Sequence, residues 1–583
     1  MKSKIFIFWL VLFGALFAFL QVCFKYHFFY IEQSQLFQFS WPYITDRLLS
    51  PGGTALLLSE FLVQFFIIPY AGPAIVAALL TFAGFCTGRI VKQIAPSSDP
   101  LLWVFLPVIT LLFLHFDFNY LVAGTVAYDC ILLLLWRYVS QQNNRTRLII
   151  SLIGTPFLFV IVGPVALLFA VAVSLYELLN RTPRGYWSLS AIAEALLLGV
   201  CSVYFSWSGE YRFVFLPDVY YHPSLEPKSV IYFAWIGLLM AIAFAFLLKR
   251  RVAVPGKKRR IGEALLQIGA IGVLLWWGLP KYSDEKSAKL KELDYYARSA
   301  QWDKIIDSCQ GKLTNFLYMC YLNRALVEKG EFVDRMFEFD QRGPQGLLVS
   351  WNKSEQISSL LSDIYFTMSY IGSSQQMAFE AYVSSLGAGN PRMLQRLVQT
   401  NLLYGAYPVA EKYIRILENT FYYKKWAASH RKFLYRDDLV EADPVLGPKR
   451  KSLPDASNLA GIDGINADLQ KLAEVNPQNT APLHYLGAFY LLSKDLKGFK
   501  EMVEKNFGTD VLPALPVYYQ EALIVLSEKE PDYWKKYGIS DAIVNRFTEY
   551  KKQVLAHKSN PAALPGLLRR AYGNTYWYYF MFK

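Results

Sequence analysis

Cysteine is scarce, with six residues in 583, and no pair or quartet has the spacing of a zinc site. Cys23, Cys86, Cys130 and Cys201 fall in or beside apolar runs, where cysteine serves as a small hydrophobe. Cys309 and Cys320 lie outside those runs and could bridge in an oxidising compartment; two free buried thiols are the preferred reading. A cleavage site of small residues is also missing behind the first apolar run, 5–24, so that run is expected to stay as an anchor. No basic face on a folded domain accounts for the net charge of +13, which excludes nucleic acid as a partner.

What is present divides into two unlike halves. The chain is 54% hydrophobic with a mean hydropathy of +0.23, but the apolar runs stop near residue 280 and a soluble mixture follows. Such a length suggests more than one core. The positive charge gathers in patches between apolar runs, at Arg145 and Arg147, Arg181 and Arg184, 249–251 and 257–260, which mark cytoplasmic loops. Lys2 and Lys4 place the N-terminus on the same side.

Spans are then expected over 5–24, 70–90, 101–115, 121–136, 187–207, 230–248 and 261–279. The run 148–179 has basic flanks at both ends and is interrupted at 154–156 and at Gly163-Pro164, so it must cross twice as two short helices, giving nine spans. The fold class is all-α: a polytopic helical membrane domain over 1–280 with external loops 25–69 and 208–228, then an extracytoplasmic helical-repeat domain over 281–583. In this second part helical pairs are expected at 295–300/302–309, 317–328/332–339, 357–371/375–384, 391–404/408–417 and 482–492/498–507, close to the tetratricopeptide period of about 34 residues. The stretch 437–464 reads as a loop, and the aromatic tail YGNTYWYYFMF as a cap on the stack or a return to lipid.

The first external loop carries His27, Glu32, Gln33, Asp46 and Arg47, followed by a helix over 54–68 with Ser59, Glu60 and Gln64 on one face and its Leu, Phe and Ile side chains at the lipid boundary. By this topology Glu32, Asp46, Glu60 and Asp117 all lie at the outer edge of the bilayer. One carboxylate there could act as general base while a neighbour or a metal steadies a leaving phosphate. Arg212, His222 and Lys228, from the second external loop, are groups that could hold the phosphate. Glu32 and Asp117 are the candidate catalytic acids, and His27, Asp46, Glu60, Arg212 and His222 the candidate substrate-binding set. Each of these also fits a bland reading as an ordinary polar residue of an external loop.

Three stretches carry a family resemblance: SPGGTALLLSEFLVQFFIIPYAGPAIVAAL, HFDFNYLVAGTVAYDCILLLLWRY and GPVALLFAVAVSLYELLNR. With the preceding helix and acid-bearing loop they resemble the C-type glycosyltransferase superfamily, especially its dolichol- and polyprenyl-phosphate-mannosyltransferase-like branch, over roughly the first 280 residues. The resemblance implies transfer of a sugar from a polyprenyl-phosphate-linked donor to an acceptor on the outer face, often with a divalent metal, with Glu32 as the first-loop base and Asp117 as the second-loop acid. That family commonly has an Asp-Glu pair where this chain reads Glu32-Gln33, and a Lys where Val162 stands. The chain also resembles a group of integral membrane proteins of unknown function from Bacteroidota that share the EQ and PGG features. A bacterial inner-membrane location follows, with a periplasmic C-terminal domain that binds the acceptor or a protein partner. Two other functions stay open: a non-catalytic, membrane-anchored scaffold of the cell envelope, and a transporter.

Overall fold

A computed structural model describes residues 2–97, 100–182, 185–207, 210–249, 257–386, 389–453, 464–557 and 560–583. Arg184, Arg250 and Arg251 of the basic patches, Ser208 of the second loop and 454–463 lie outside the described residues. The fold is all-α, with no strand among the described residues. It divides into two compact units: 1–291 with the short segments 386–388 and 419–422, and the remainder of 292–583.

In the first unit the apolar runs form helices because unbroken Leu, Ile, Val, Phe and Ala satisfy their backbone groups internally. They are α1 (Lys2–Ser34), α2 (Trp41–Leu49), α3 (Gly53–Val63), α4 (Ala71–Ile94), α5 (Leu101–Leu114), α6 (Val122–Val139), α7 (Asn144–Val162), α8 (Ala166–Asn180), α9 (Leu189–Tyr204), α10 (Arg212–Phe215), α11 (Val230–Lys249) and α12 (Lys257–Tyr282). Among the described residues seven helices are long and apolar enough to cross a membrane, while α5 and α8, at the remaining two expected positions, are shorter. Helix α4 packs against α1, α5, α6 and α11, and α6 against α3, α7 and α8. The outer helices keep large apolar side chains exposed, Val22 at 80% and Trp276 at 79%, a surface compatible with lipid.

The structure corrects two expectations in this unit. Residues 25–34 are not a loop: α1 continues through a kink at Phe24, whose ring stacks on Phe116 at 4.4 Å. The polar residues of that extension, His27, Glu32 and Gln33, are buried against protein, an environment that hydropathy cannot tell from water. The helix expected over 54–68 starts at Gly53 and tightens to a 3₁₀ turn over Gln64–Ile67. Its Ser59, Glu60 and Gln64 face inward and are buried, while Leu58 and Ile68 are exposed.

The interruption of 148–179 falls between α7 and α8, at a 3₁₀ turn over Gly163–Val165. Gly163 has φ +65° and Gly52 φ +81°, and a Cβ on either would lie 3.1–3.2 Å from the backbone of the other. Only glycine accepts both the dihedral and the approach. The amide of Gly52 donates to the carbonyl of Val160 at 3.0 Å, and the Tyr220 hydroxyl donates to that of Val162.

The second unit is built of helices of unequal length joined by short turns. Helix α13 (Glu285–Arg298) crosses the division between units, and α14 (Trp302–Ser308) follows it. Then come α15 (Phe316–Glu328) with α16 (Phe332–Arg335), α17 (Glu355–Thr367) with α18 (Ile371–Ser384), and α19 (Pro391–Leu403) with α20 (Tyr407–Glu418). Their turns use left-handed residues such as Gly330 and Gly405. Helices α17 through α20 pack each on the next. Buried Asp363 of α17 takes salt bridges from Arg324 of α15 and from Arg392 and Arg396 of α19, which ties three layers together. Helix α21 (Lys424–Arg431) comes next, and the described part of the stretch read as a loop over 437–464 contains two short helices, α22 (Asp437–Ala442) and α23 (Leu446–Arg450). After these come α24 (Ile465–Val475), α25 (Ala481–Ser493), α26 (Leu496–Asn506), α27 (Val517–Leu526), α28 (Pro531–Lys536), α29 (Asp541–Ala556), α30 (Leu564–Tyr572) and α31 (Tyr576–Phe582).

The aromatic tail is α31, and it closes the core of this unit. Trp577 donates to the Glu521 carbonyl at 2.7 Å and Tyr579 to that of Leu492 at 2.7 Å. Cys309 and Cys320 are both buried and unbridged.

Candidate functional site

Two loops of the first unit meet and bring charged groups together. The short turn after α5 and the segment 217–222 after α10 form an isolated antiparallel bridge, Tyr120 with Tyr221, flanked by Leu121 N to Tyr220 O at 2.9 Å and His222 N to Asn119 O at 3.0 Å. The bridge points the Tyr221 hydroxyl at Asp117. That carboxylate has every lone pair engaged: Oδ1 accepts from Asn119 N and Nδ2, both at 3.0 Å, and Oδ2 from Tyr221 at 2.8 Å and from Lys228 Nζ at 2.9 Å. Burial works to raise the Asp117 carboxyl, but the Lys228 ammonium and these hydrogen bonds outweigh it and hold it below the ordinary carboxylate range. Burial, then Asp117 itself, pushes the Tyr221 phenol up.

Beyond the kink, α1 adds His27. The Lys291 ammonium donates to His27 Nδ1 at 3.0 Å, which leaves the ring proton of a neutral imidazole on Nε2. Lys291 is buried at 5% exposure, and its Nζ lies 5.1 Å from the ring of Phe118, beside Asp117 in the turn. Burial pulls its pKa down to about 8, helped by the Lys228 charge and opposed by Asp284 and Asp117. Two ammonium groups and two carboxylates thus act on one another at the ends of α1, α5 and α13. A group poised near neutral pH by burial and charged neighbours is a mark of a functional position.

The remaining candidates have surroundings of their own. Glu60 is buried on α3, where Arg47 Nη2 bonds it at 3.1 Å and the Tyr43 hydroxyl donates to it, so it fixes α2 against α3. Burial raises the Glu60 carboxyl, against the pull of Arg47 and Tyr43. Asp46 is exposed, and its charge bears on the same Arg47. Glu32 is buried on the last turn of α1, and its charge bears on the phenol of Tyr422. Arg212 pairs with Glu210 at 3.0 Å and donates to the Pro223 carbonyl at 2.8 Å, and His222 Nδ1 accepts from Ser224 N at 3.2 Å, so both knit their own loop. Burial lowers the His222 pKa.

Among the described residues no three His, Cys, Asp or Glu side chains gather as metal ligands. A divalent ion does not suit Asp117 as arranged, because its lone pairs are taken and the Lys228 ammonium occupies the place a cation would need.

One family model, a family of unknown function, DUF6057, matches residues 1–583, the whole chain. The chain belongs to DUF6057. No curated protein and no solved structure matches it. The DUF6057 match carries neither a glycosyltransferase nor a tetratricopeptide description. Within this DUF6057 chain, sequence reasoning passed over Lys291, Tyr221 and Asn119. Lys291 is one of several lysines in a charged stretch, and nothing in its spacing distinguishes it from solvated neighbours.

Proposed function

We propose that this protein is a multi-pass inner-membrane transferase that moves a sugar from a polyprenyl-phosphate-linked donor to an extracytoplasmic acceptor. In this reading the nine apolar helices span the bilayer with the N-terminus in the cytoplasm and the second unit in the periplasm. Lys228 and Lys291 take the donor phosphate and Glu32 deprotonates the acceptor. Asp117, already saturated by donors, anchors Lys228 rather than serving as base, since a base needs a pKa nearer the working pH. The helical pairs of the second unit bind the acceptor or a partner protein, as tetratricopeptide-like arrays do.

The observation that supports this most is the pairing of Lys228 with Asp117 and of Lys291 with His27 at one end of the apolar helices. Ammonium groups next to lipid-facing helices match a phosphate carried on a lipid tail. The test is transfer by the full-length protein in vesicles supplied with polyprenyl-phosphate-sugar donors. Glu32→Gln should abolish transfer with the fold intact, and Lys291→Met should weaken the response to donor concentration. Full transfer in both variants would remove the assignment.

A second reading, a membrane-anchored scaffold of the cell envelope, draws on the consecutive packing of α17 to α20. It expects no transfer by the wild type, and a partner retained by Glu32→Gln and Lys291→Met alike.

A further inference from the structure

Asp129 lies near the middle of α6, among the side chains of an apolar helix, and is buried at 5% exposure. Neither of its carboxylate oxygens has a hydrogen-bond partner among the described residues. No cation bonds it among the described residues. An ionised carboxylate left bare in such a place costs several kcal/mol or more, whereas a neutral acid costs far less.

One turn earlier on the same face of α6 is Thr125, fully buried. Its Oγ1 meets His115 Nε2 at 2.8 Å and the Tyr120 hydroxyl at 3.2 Å. His115 and Tyr120 bracket the turn that carries Asp117, and both meet Thr125, which stands one helical turn before Asp129. Each member both donates and accepts, which is what a proton relay requires.

We propose that Asp129 is a proton-binding site inside the apolar half, uncharged at rest, that exchanges its proton with the cluster at the helix ends through Thr125, His115 and Tyr120. In heavy water one deuteron enters for each proton that leaves, and no charge is stranded. The proposal does not depend on whether the protein transfers a sugar.

Infrared spectroscopy of the full-length protein in vesicles tests it, since a protonated carboxyl has a C=O stretch well above the amide band. At pH 7 the native protein should show a component of such a band that Asp129→Asn removes, apart from the component of Glu355, whose carboxyl burial pushes up to about 8. If that variant does not fold, carbon-13 labelling of aspartate must move the band in the native chain. Thr125→Val should keep the band but slow its deuterium shift about a hundredfold, the lower end of what a positioned proton-transfer group supplies. Absence of the Asp129 component at pH 7, or a deuterium shift that Thr125→Val leaves unchanged, would overturn the proposal.

Discussion

Replacing Lys291 with methionine should make the protein more stable at pH 7. Burial holds the ammonium at a pKa of about 8 against an ordinary value of 10.5. Between those values the unfolded chain keeps its proton and the folded one does not, so stability rises as the pH climbs from 8 to 10.5. Below that window the folded protein bears the whole cost of the buried charge, about 3 kcal/mol at roughly 1.4 kcal/mol per pKa unit. Methionine has a similar length and no charge, so it removes that cost and loses only the hydrogen bond to His27, about 1 kcal/mol. The net gain is about 2 kcal/mol at pH 7, and the rise in stability above pH 8 should flatten. Thermal unfolding of the detergent-solubilised protein, followed by tryptophan fluorescence at neutral and alkaline pH, measures both. A variant less stable than wild type at neutral pH, with the alkaline rise intact, would refute the reasoning. A more stable variant that also responds poorly to donor would mark Lys291 as a position kept at the expense of the fold.

Asp117→Ala should destabilise by about 3 kcal/mol, mostly because the Tyr221 and Asn119 donors lose their acceptor; Lys228, at 39% exposure, accounts for under about 1 kcal/mol of it. Because its folded pKa is depressed, the contribution of Asp117 is present above the ordinary carboxylate value and lost as the pH falls through the folded one, so melting curves of wild type and variant should converge in acid. Gly163→Ala should cost about 2–4 kcal/mol from backbone strain and the contact with Gly52, while Gly262→Ala, where an added Cβ meets nothing within 4 Å, should leave the melting temperature unchanged or slightly higher.

The helices of both units were legible because hydropathy and helical spacing are local properties. The double helix of 148–179 followed from basic flanks and a glycine break, and α7 and α8 stand there. What the sequence concealed was burial of polar groups. His27, Glu32 and Gln33 read as a wet loop, yet they continue α1, because the partners that neutralise them come from segments far away, as Lys291 does for His27 across 264 residues. The same limit hid the inward turn of Ser59 and Glu60, since an amphipathic pattern does not say which face meets protein when the alternative surroundings are lipid. Asp117 was visible as a charged residue in an apolar neighbourhood, but its saturation by four donors was not, and that saturation changes the chemistry open to it.

The contact between Gly52 and Gly163 gives the first unit a shared hinge pin. The entry to α3 and the bend joining α7 to α8 are pressed backbone to backbone with no side chain to cushion them. Neither can swing without dragging the other, so a ligand that tilts α3 must also move the two helices behind it.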